Sequence, residues 1–389
     1  MIIVEEKMPN NKNKRFKKHT TGSFFGSFLY DQIIPHDHFL VSAIKIIDWD
    51  KFTDRCLRWY KGSGEIGRPP YNPVVLLKML FISYLYNFSE RQTEMMVNDS
   101  LSMKYFLGLG VDEEAPDHSS LTYFKDRLLR GGGKSAYDEL LREIITQAQD
   151  NGIRFGSIQI IDATHTIADV NTDKDKKGKD KNKKPPRDPD ASWGVKHQRK
   201  VLDPKTGQVI KQKKYFHGYK AHTSLNAQSG LITSIKSTTG KDPDGNQLPT
   251  LIAKDNFTGL SRKRTYAGDK AYDDGENHEI LKTKKMGDAL RLKITRTQKK
   301  NSNKEPWEKL VKSDDYQWGL KERYKIERKF GEAKQGHGLR RCRYLGLGKF
   351  HLQATMTALT LNIKAIVAQI TGTTLKGYEY GGGCLRFET

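Results

Sequence analysis

Cysteine is scarce in this sequence. Cys56, Cys342 and Cys384 are the only three in 389 residues. They lie far apart without paired ligand spacing, which argues against a disulfide framework and against a structural zinc site, and fits a reducing cytosol. Long apolar runs are also missing, and no long basic amphipathic helix stands out, so no membrane partner is expected. Residues 1–20 are polar and lysine-rich and lack the apolar core and cleavage site of a secretory signal. Acidic residues are in deficit: 46 Asp and Glu face 68 Lys and Arg, a formal charge of +22. Such a surplus favours a polyanionic partner, because each phosphate met by Lys or Arg releases condensed counterions. Nucleic acid is the expected partner, although a merely soluble basic protein has the same composition.

Several regions follow from the patterning. Residues 1–22 read as a disordered basic arm, with Lys12, Lys14, Arg15, Lys17 and Lys18 suited equally to phosphate contact and to solubilisation. Residues 23–151 read as helical. Pro73 opens an apolar segment through Tyr86 that suits a buried helix. Ser89 and Gln92 have capping-box spacing, and the glycines between Arg130 and Lys134 suggest a hinge between two helices. Tyr123, Lys125, Arg127 and Arg130 give this region a basic face, which suits either DNA binding or a simple helical cap.

From residue 152 to 371 the pattern changes to a mixed α/β layer fold. Ser157–Ile161 reads as a buried strand ending at Asp162. Residues 171–200, dense in Lys, Asp and Pro, read as a flexible insertion. Tyr215–Leu225 and Leu231–Thr238 read as a hairpin, Leu248–Phe257 as a helix, Thr265–Asp269 as a strand and Glu276–Lys285 as a helix. Ala289–Thr295 alternates like a strand. Trp318–Gln335 and Phe350–Ile370 read as helices, and residues 372–389 as a tail.

Three acids fall where chemistry is possible. Asp162 and Asp269 both follow short apolar strands, and a carboxylate at the end of a buried strand is costly unless paired or coordinated. Gly268 permits close backbone approach beside Asp269. Either acid alone is equally a turn or cap residue. On a helix, Arg323, Glu327 and Lys334 fall within about 40° of one another, beside an apolar face of Ile326, Phe330 and Ala333. By helix geometry alone, an ordinary i,i+4 surface pair is the better account of Arg323 and Glu327. Converging carboxylates from separate elements are what two-metal phosphodiester chemistry requires.

The residues around these acids carry a resemblance. Ile160-Ile161-Asp162-Ala163-Thr164, Asp188-Pro189-Asp190-Ala191-Ser192-Trp193-Gly194, Gly218-Tyr219-Lys220-Ala221-His222, Gly268-Asp269-Lys270-Ala271-Tyr272-Asp273 and Ile326-Glu327-Arg328-Lys329-Phe330 occur in this order. Together with Arg68-Pro69-Pro70-Tyr71-Asn72-Pro73, they make the chain resemble bacterial insertion-sequence transposases of the DDE class from about Arg68 to Ile366.

The resemblance implies an RNase H-like mixed sheet flanked by helices, with a helical N-terminal domain for DNA-end binding or assembly. It implies Asp162, Asp269 and Glu327 as catalytic residues holding two Mg2+ ions, for which Mn2+ can substitute. Arg323 and Lys334 match the family's phosphate-contacting Arg and Lys, but the tyrosine position three before the Arg is Leu320, with Tyr324 nearby. Terminal inverted repeats and target DNA are the implied partners, a homodimer the implied active form, and the bacterial cytoplasm, on the nucleoid, the implied location. Two other readings remain open: a DNA-binding protein without catalysis, and an RNase H-like nuclease that cuts without joining.

Other candidates are weaker. His217 and His222 are five residues apart and point to opposite faces of a strand, and with His165 they suit structural or phosphate-contacting roles better than a metal site. Asp273 and Asp274 suit caps for the following helix. The run Lys282–Lys300 and the cluster Arg340, Arg341 and Arg343 are the densest basic patches, with a solvated face as the rival account.

Overall fold

The computed structural model describes residues 16–17, 24–60, 69–172, 186–202, 209–255, 257–260, 262–298 and 303–375. Most of the basic arm, Arg68, the middle of the lysine-rich insertion and most of the C-terminal tail therefore lie outside the described residues. The chain divides into two compact units, one from residues up to Gln147 and from Ile366 onward, the other from Ala148–Ala365.

The first unit is helical: α1 (Phe24–Ile33), α2 (Phe39–Ile46), α3 (Trp49–Leu57), α4 (Pro73–Leu85), α5 (Glu90–Asp99), α6 (Leu101–Leu107) and α7 (His118–Asp150, which runs on into the second unit). Helix α4 starts where the sequence places proline at the first turn and Asn72 as the cap, with the Val74 amide donating to Asn72 Oδ1 at 3.0 Å. It is buried nearly all round and packs against α3, α5 and α6. Trp49, Phe52, Phe81 and Phe106 form an aromatic cluster with centroid separations of 5.2–5.8 Å. The Ser89–Gln92 capping box is present in both directions.

The expected hinge in α7 is narrower than its glycines suggest. Only Gly133 leaves helical geometry, at φ 58° and ψ −142°. Gly131 and Gly132 are small because the Trp59 ring lies against them: a Cβ on either would come within 2.7 Å of it.

The second unit is built on a six-stranded mixed sheet of β1 (Ile158–Ile167), β2 (Ser192–Leu202), β3 (Val209–Asn226), β4 (Ile232–Thr239), β5 (Thr265–Gly268) and β6 (Gly287–Leu290). Strand β1 pairs antiparallel with β3 and parallel with β5, β5 pairs parallel with β6, and β3 also pairs antiparallel with β4. This is the RNase H-like arrangement, a hairpin side and a parallel side meeting at β1.

Helices α8 (Leu248–Lys254), α9 (Gly275–Thr283), α10 (Ile294–Thr297), α11 (Glu305–Lys312), α12 (Asp314–Glu322), α13 (Tyr324–Gly336) and α14 (Leu347–Thr371) flank the sheet. Leu248, Leu251, Ile252 and Leu281 pack with Ile161, Tyr266, Tyr272 and Leu290. Gly319 lets α12 approach the strands closely, since a Cβ there would lie 2.5 Å from that of Ala289 and 3.1 Å from that of Ala267. The Asn362 side chain of α14 bonds both the amide and the carbonyl of Ile232, each at 2.8 Å.

Three expectations need correction. The polar run taken as an insertion over 171–200 becomes a strand from Ser192, because β2 pairs with the N-terminal half of β3 from Ser192↔Gly218 to Leu202↔Val209. Its lysine-rich composition hid a backbone that pairs regardless of side-chain polarity. The alternation over Ala289–Thr295 is not one strand: β6 ends at Leu290, and Ile294 is 64% exposed in α10. Pairing ends there because β5 ends at Gly268, opposite Leu290. The helix read over Trp318–Gln335 is two helices meeting at Arg323. That residue keeps right-handed helical angles, φ −57° and ψ −30°, so residues on either side stay in rough angular register.

Candidate active site

The sheet register places the two aspartates. Parallel pairing between β1 and β5 runs from Ile158↔Thr265 to Ile160↔Ala267, and continuing it sets Asp162 beside Asp269. Asp162 is not the strand's last residue, as the apolar pattern suggested. Strand β1 continues to Ile167 because β3 still pairs with it on the other edge, while β5 has ended. The site opens where one neighbour stops and the other goes on. Gly268 suits the tight packing there: a Cβ would come within 3.0–3.2 Å of Leu290, Ile161 and Tyr272.

Strand parity sends Asp162 to the face opposite Ile161, where α12 and α13 pack on β1. From the junction of those helices Arg323 reaches Asp162, Nη2 to Oδ2, at 3.9 Å. This ion pair is long, and the Arg323 Nε is buried without a hydrogen-bond partner. Asp162 Oδ1 accepts from the Ala163 amide at 2.8 Å, and Asp269 Oδ1 accepts from the Ala271 amide at 2.9 Å. Burial pushes the Asp162 carboxyl up to about 7, and the negative charges of Asp269 and Asp244 push the same way against Arg323 and the Ala163 bond.

Glu327 stands in the first turn of α13, one turn beyond Arg323, and its side chain is exposed. Among the described residues, the one set of three acid or histidine ligand atoms within 4.8 Å of one another is Glu94, Asp117 and His118 in the first unit. Asp162, Asp269 and Glu327 do not converge that closely. Glu94 is used at the start of α7, accepting from both the amide and Nδ1 of His118 at 2.9 and 2.7 Å.

The donors at the sheet still fit a hard divalent cation. Two carboxylates stand side by side, among the described residues their ion pairing is the one long contact from Arg323, and the fully buried Tyr272 hydroxyl, within their field, has no hydrogen-bond partner.

Lys334, two turns along α13 from Glu327, belongs to a second cluster. Burial, then the charges of Lys196 and Arg340, lower its ammonium to about 8. Burial, then the charges of Lys334, Lys196 and Lys220, lower His165 to about 4. No carboxylate among the described residues forms an ion pair with Lys334, so these cations crowd one another, an arrangement that suits an incoming anion.

His222 is completely buried, bonds Thr238 at 2.8 Å, and burial lowers it to about 3. Asp274 caps α9 as expected, but Asp273 instead pairs with His278 and with Arg296. Leu320 is half-buried, Tyr324 is 52% exposed, and the Tyr316 hydroxyl accepts from the Leu292 amide at 3.2 Å. Sequence reading missed Lys196, inside the supposed insertion, and Tyr272 and Asp244, which carried no spacing signal of their own.

Two family models match the chain. One is described as "Transposase domain (DUF772)" and covers residues 28–127. The other, "Transposase DDE domain", covers residues 154–363, more than half of the sequence. The chain belongs to the insertion-sequence transposases of the DDE class. The first match lies within the helical unit of this DNA transposase. The second takes in every strand of the sheet and both aspartates. Transposases bind DNA, and the DDE family uses divalent metal ions, which agrees with the donor chemistry beside β1. Among the described residues no helix is long and apolar enough to cross a membrane.

Proposed function

We propose that this transposase cuts DNA at the ends of its element and joins the freed 3′ hydroxyl to target DNA, with Asp162, Asp269 and Glu327 as its catalytic acids. The observation that carries the reading is the placement of Asp162 and Asp269 side by side where the β1–β5 pairing ends, with Arg323 reaching the first. Two Mg2+ ions, replaceable by Mn2+, would be held by the three acids and, when bound, would supply Lewis acidity to the attacking and leaving oxygens.

The protein's own groups do the rest. Burial, with the charges of neighbouring acids, holds Asp162 near 7, so it would hold a cation as its deprotonated carboxylate. Arg323 and Lys334 hold the phosphate and offset its growing charge. Glu327, one turn from Arg323, approaches from the helix rather than the sheet. The helical N-terminal domain serves end binding or assembly. At least a homodimer acts, since two DNA ends must be paired, on terminal inverted repeats and a target, in the bacterial cytoplasm at the nucleoid.

The test is cleavage and strand transfer of terminal-repeat duplexes with Mg2+. Asp162→Asn is expected to reduce both by at least about 10²-fold. Full activity in that variant overturns the assignment. Cut ends without joined product would leave a nuclease, and binding without nicking a DNA-binding protein.

A further inference from the structure

The charge of a third aspartate, on a different loop, also acts on Asp162. Asp244 follows β4 in Lys241-Asp242-Pro243-Asp244-Gly245. Asp242 fixes the turn by accepting from the Thr239 amide and hydroxyl at 2.8 and 2.9 Å. Lys220 of β3 then donates to the Asp242 carbonyl at 3.0 Å and to Asp244 Oδ1 at 2.9 Å. The Asp244 loop lies directly on the Asp269 loop. A Cβ on Gly245 would come within 2.7 Å of the Ala271 carbonyl oxygen, and the Asn277 side chain donates to both Gly245 O and Tyr272 O, at 3.1 and 3.0 Å. The buried Tyr272 ring sits in the field of Asp162, Asp244 and Asp269 together.

The Tyr272 hydroxyl is the independent sign of a ligand. It is completely buried, has no hydrogen-bond partner, and feels the charges of three carboxylates. A buried unsatisfied hydroxyl is costly and normally marks a group that something else completes.

Resting on the reading of Asp162 and Asp269 as cation-binding acids, we propose that Asp244 is a fourth acid of this centre. Lys220 holds its Oδ1, which would leave Oδ2, with the Tyr272 hydroxyl, to hydrogen-bond the hydration water of a bound cation. Both are positioning residues that act through water. Groups in this role typically change metal affinity about 10–100-fold when removed.

The probe is Mn2+ alone, followed by electron paramagnetic resonance and calorimetry on the full chain without DNA, with melting in chelator as the control. Asp244→Asn keeps an acceptor for Lys220 and is expected to weaken Mn2+ binding about 10-fold. Tyr272→Phe removes only the unpartnered hydroxyl. It is expected to weaken Mn2+ binding a few-fold, about 2–5-fold, while the chelated protein melts no lower. A role confined to the Lys220 ion pair would move melting in Asp244→Asn and leave Mn2+ affinity unchanged in both variants, which overturns the inference. Asp162→Asn separates the two layers. If it abolishes binding while Asp244→Asn and Tyr272→Phe leave it intact, the fourth acid fails and the aspartate site stands. If Asp162→Asn leaves binding intact, the underlying reading fails as well.

Discussion

Lys78 in the helical unit and Lys334 in the sheet unit both have ammonium groups lowered to about 8, for different reasons. Burial lowers Lys78, and Asp50 partly restores it. Its cation lies 5.7 Å from the centroid of the Trp49 ring and 5.4 Å from that of Phe106, inside the aromatic cluster. Lys334 is lowered by burial and then by two further cations, Lys196 and Arg340. The charge of the first lysine is partly offset within its own unit by Asp50 and two aromatic rings, whereas the second would gain most from an arriving phosphate.

The contrast extends to neighbours. In the helical unit, Lys125 is buried in an ion pair with Glu90, and the Arg127 guanidinium lies 4.1 Å from the centroid of Tyr60. Arg55 donates to Glu143, Nε to Oε2, at 2.8 Å. Of the basic face that suggested DNA binding, Lys125 is therefore internal structure, while Tyr123, Arg127 and Arg130 are exposed. Formal charge alone does not distinguish a cation that holds a fold together from one that waits for a ligand.

Breaking the Lys125–Glu90 pair is the largest expected disturbance. Lys125→Ala leaves the half-buried Glu90 carboxylate without its ammonium partner and should lower unfolding stability on the order of 3 kcal/mol. Denaturant melts read this, and DNA affinity at low temperature should be unchanged. If Lys125 were instead a DNA contact, affinity would fall and stability would not.

Lys334→Ala should do the reverse. DNA binding is expected to weaken about 10-fold and the salt slope to fall by roughly one, with thermal stability equal or higher because three crowded cations become two. Fluorescence anisotropy at several salt concentrations measures both. In the wild type, binding should also weaken as pH rises through about 8, where Lys334 loses its proton. Lys334→Arg should flatten that dependence.

Lys78→Met gives the smallest effect, a gain of about 1 kcal/mol at pH 7 with no change in DNA affinity. The sign follows from linkage. The folded value, about 8, lies below the ordinary 10.5 of the unfolded chain. Between those values the unfolded state binds more protons, so stability rises with pH across that window. Lys78→Met should remove this contribution, and a wild-type pH slope that survives the substitution would contradict the assignment.

The fold was legible wherever local pattern and tertiary role coincided. The apolar run before Asp162, the hairpin around Asn226 to Gly230, the cap at Asn72 and the box at Ser89 are each local, and each is present. Strand β2 was hidden because its partner is the far half of β3, and its lysines resemble those of a linker. The break at Arg323 was hidden because both helices continue one amphipathic face. Of the proposed site, Asp162 and Asp269 were legible through their strands. Asp244 was passed over because its loop is polar and its proximity depends on Gly245 and Asn277 joining two distant turns.

The sequence by itself determined the class of fold, the polyanionic partner and the short segments that carry the acids, because charge balance, hydrophobic period and motif order are properties of the chain. Only the tertiary structure decided which cations face one another without an acid, and which aspartates share one opening. Burial and like-charge crowding arise between residues far apart in sequence, and no local spacing encodes them.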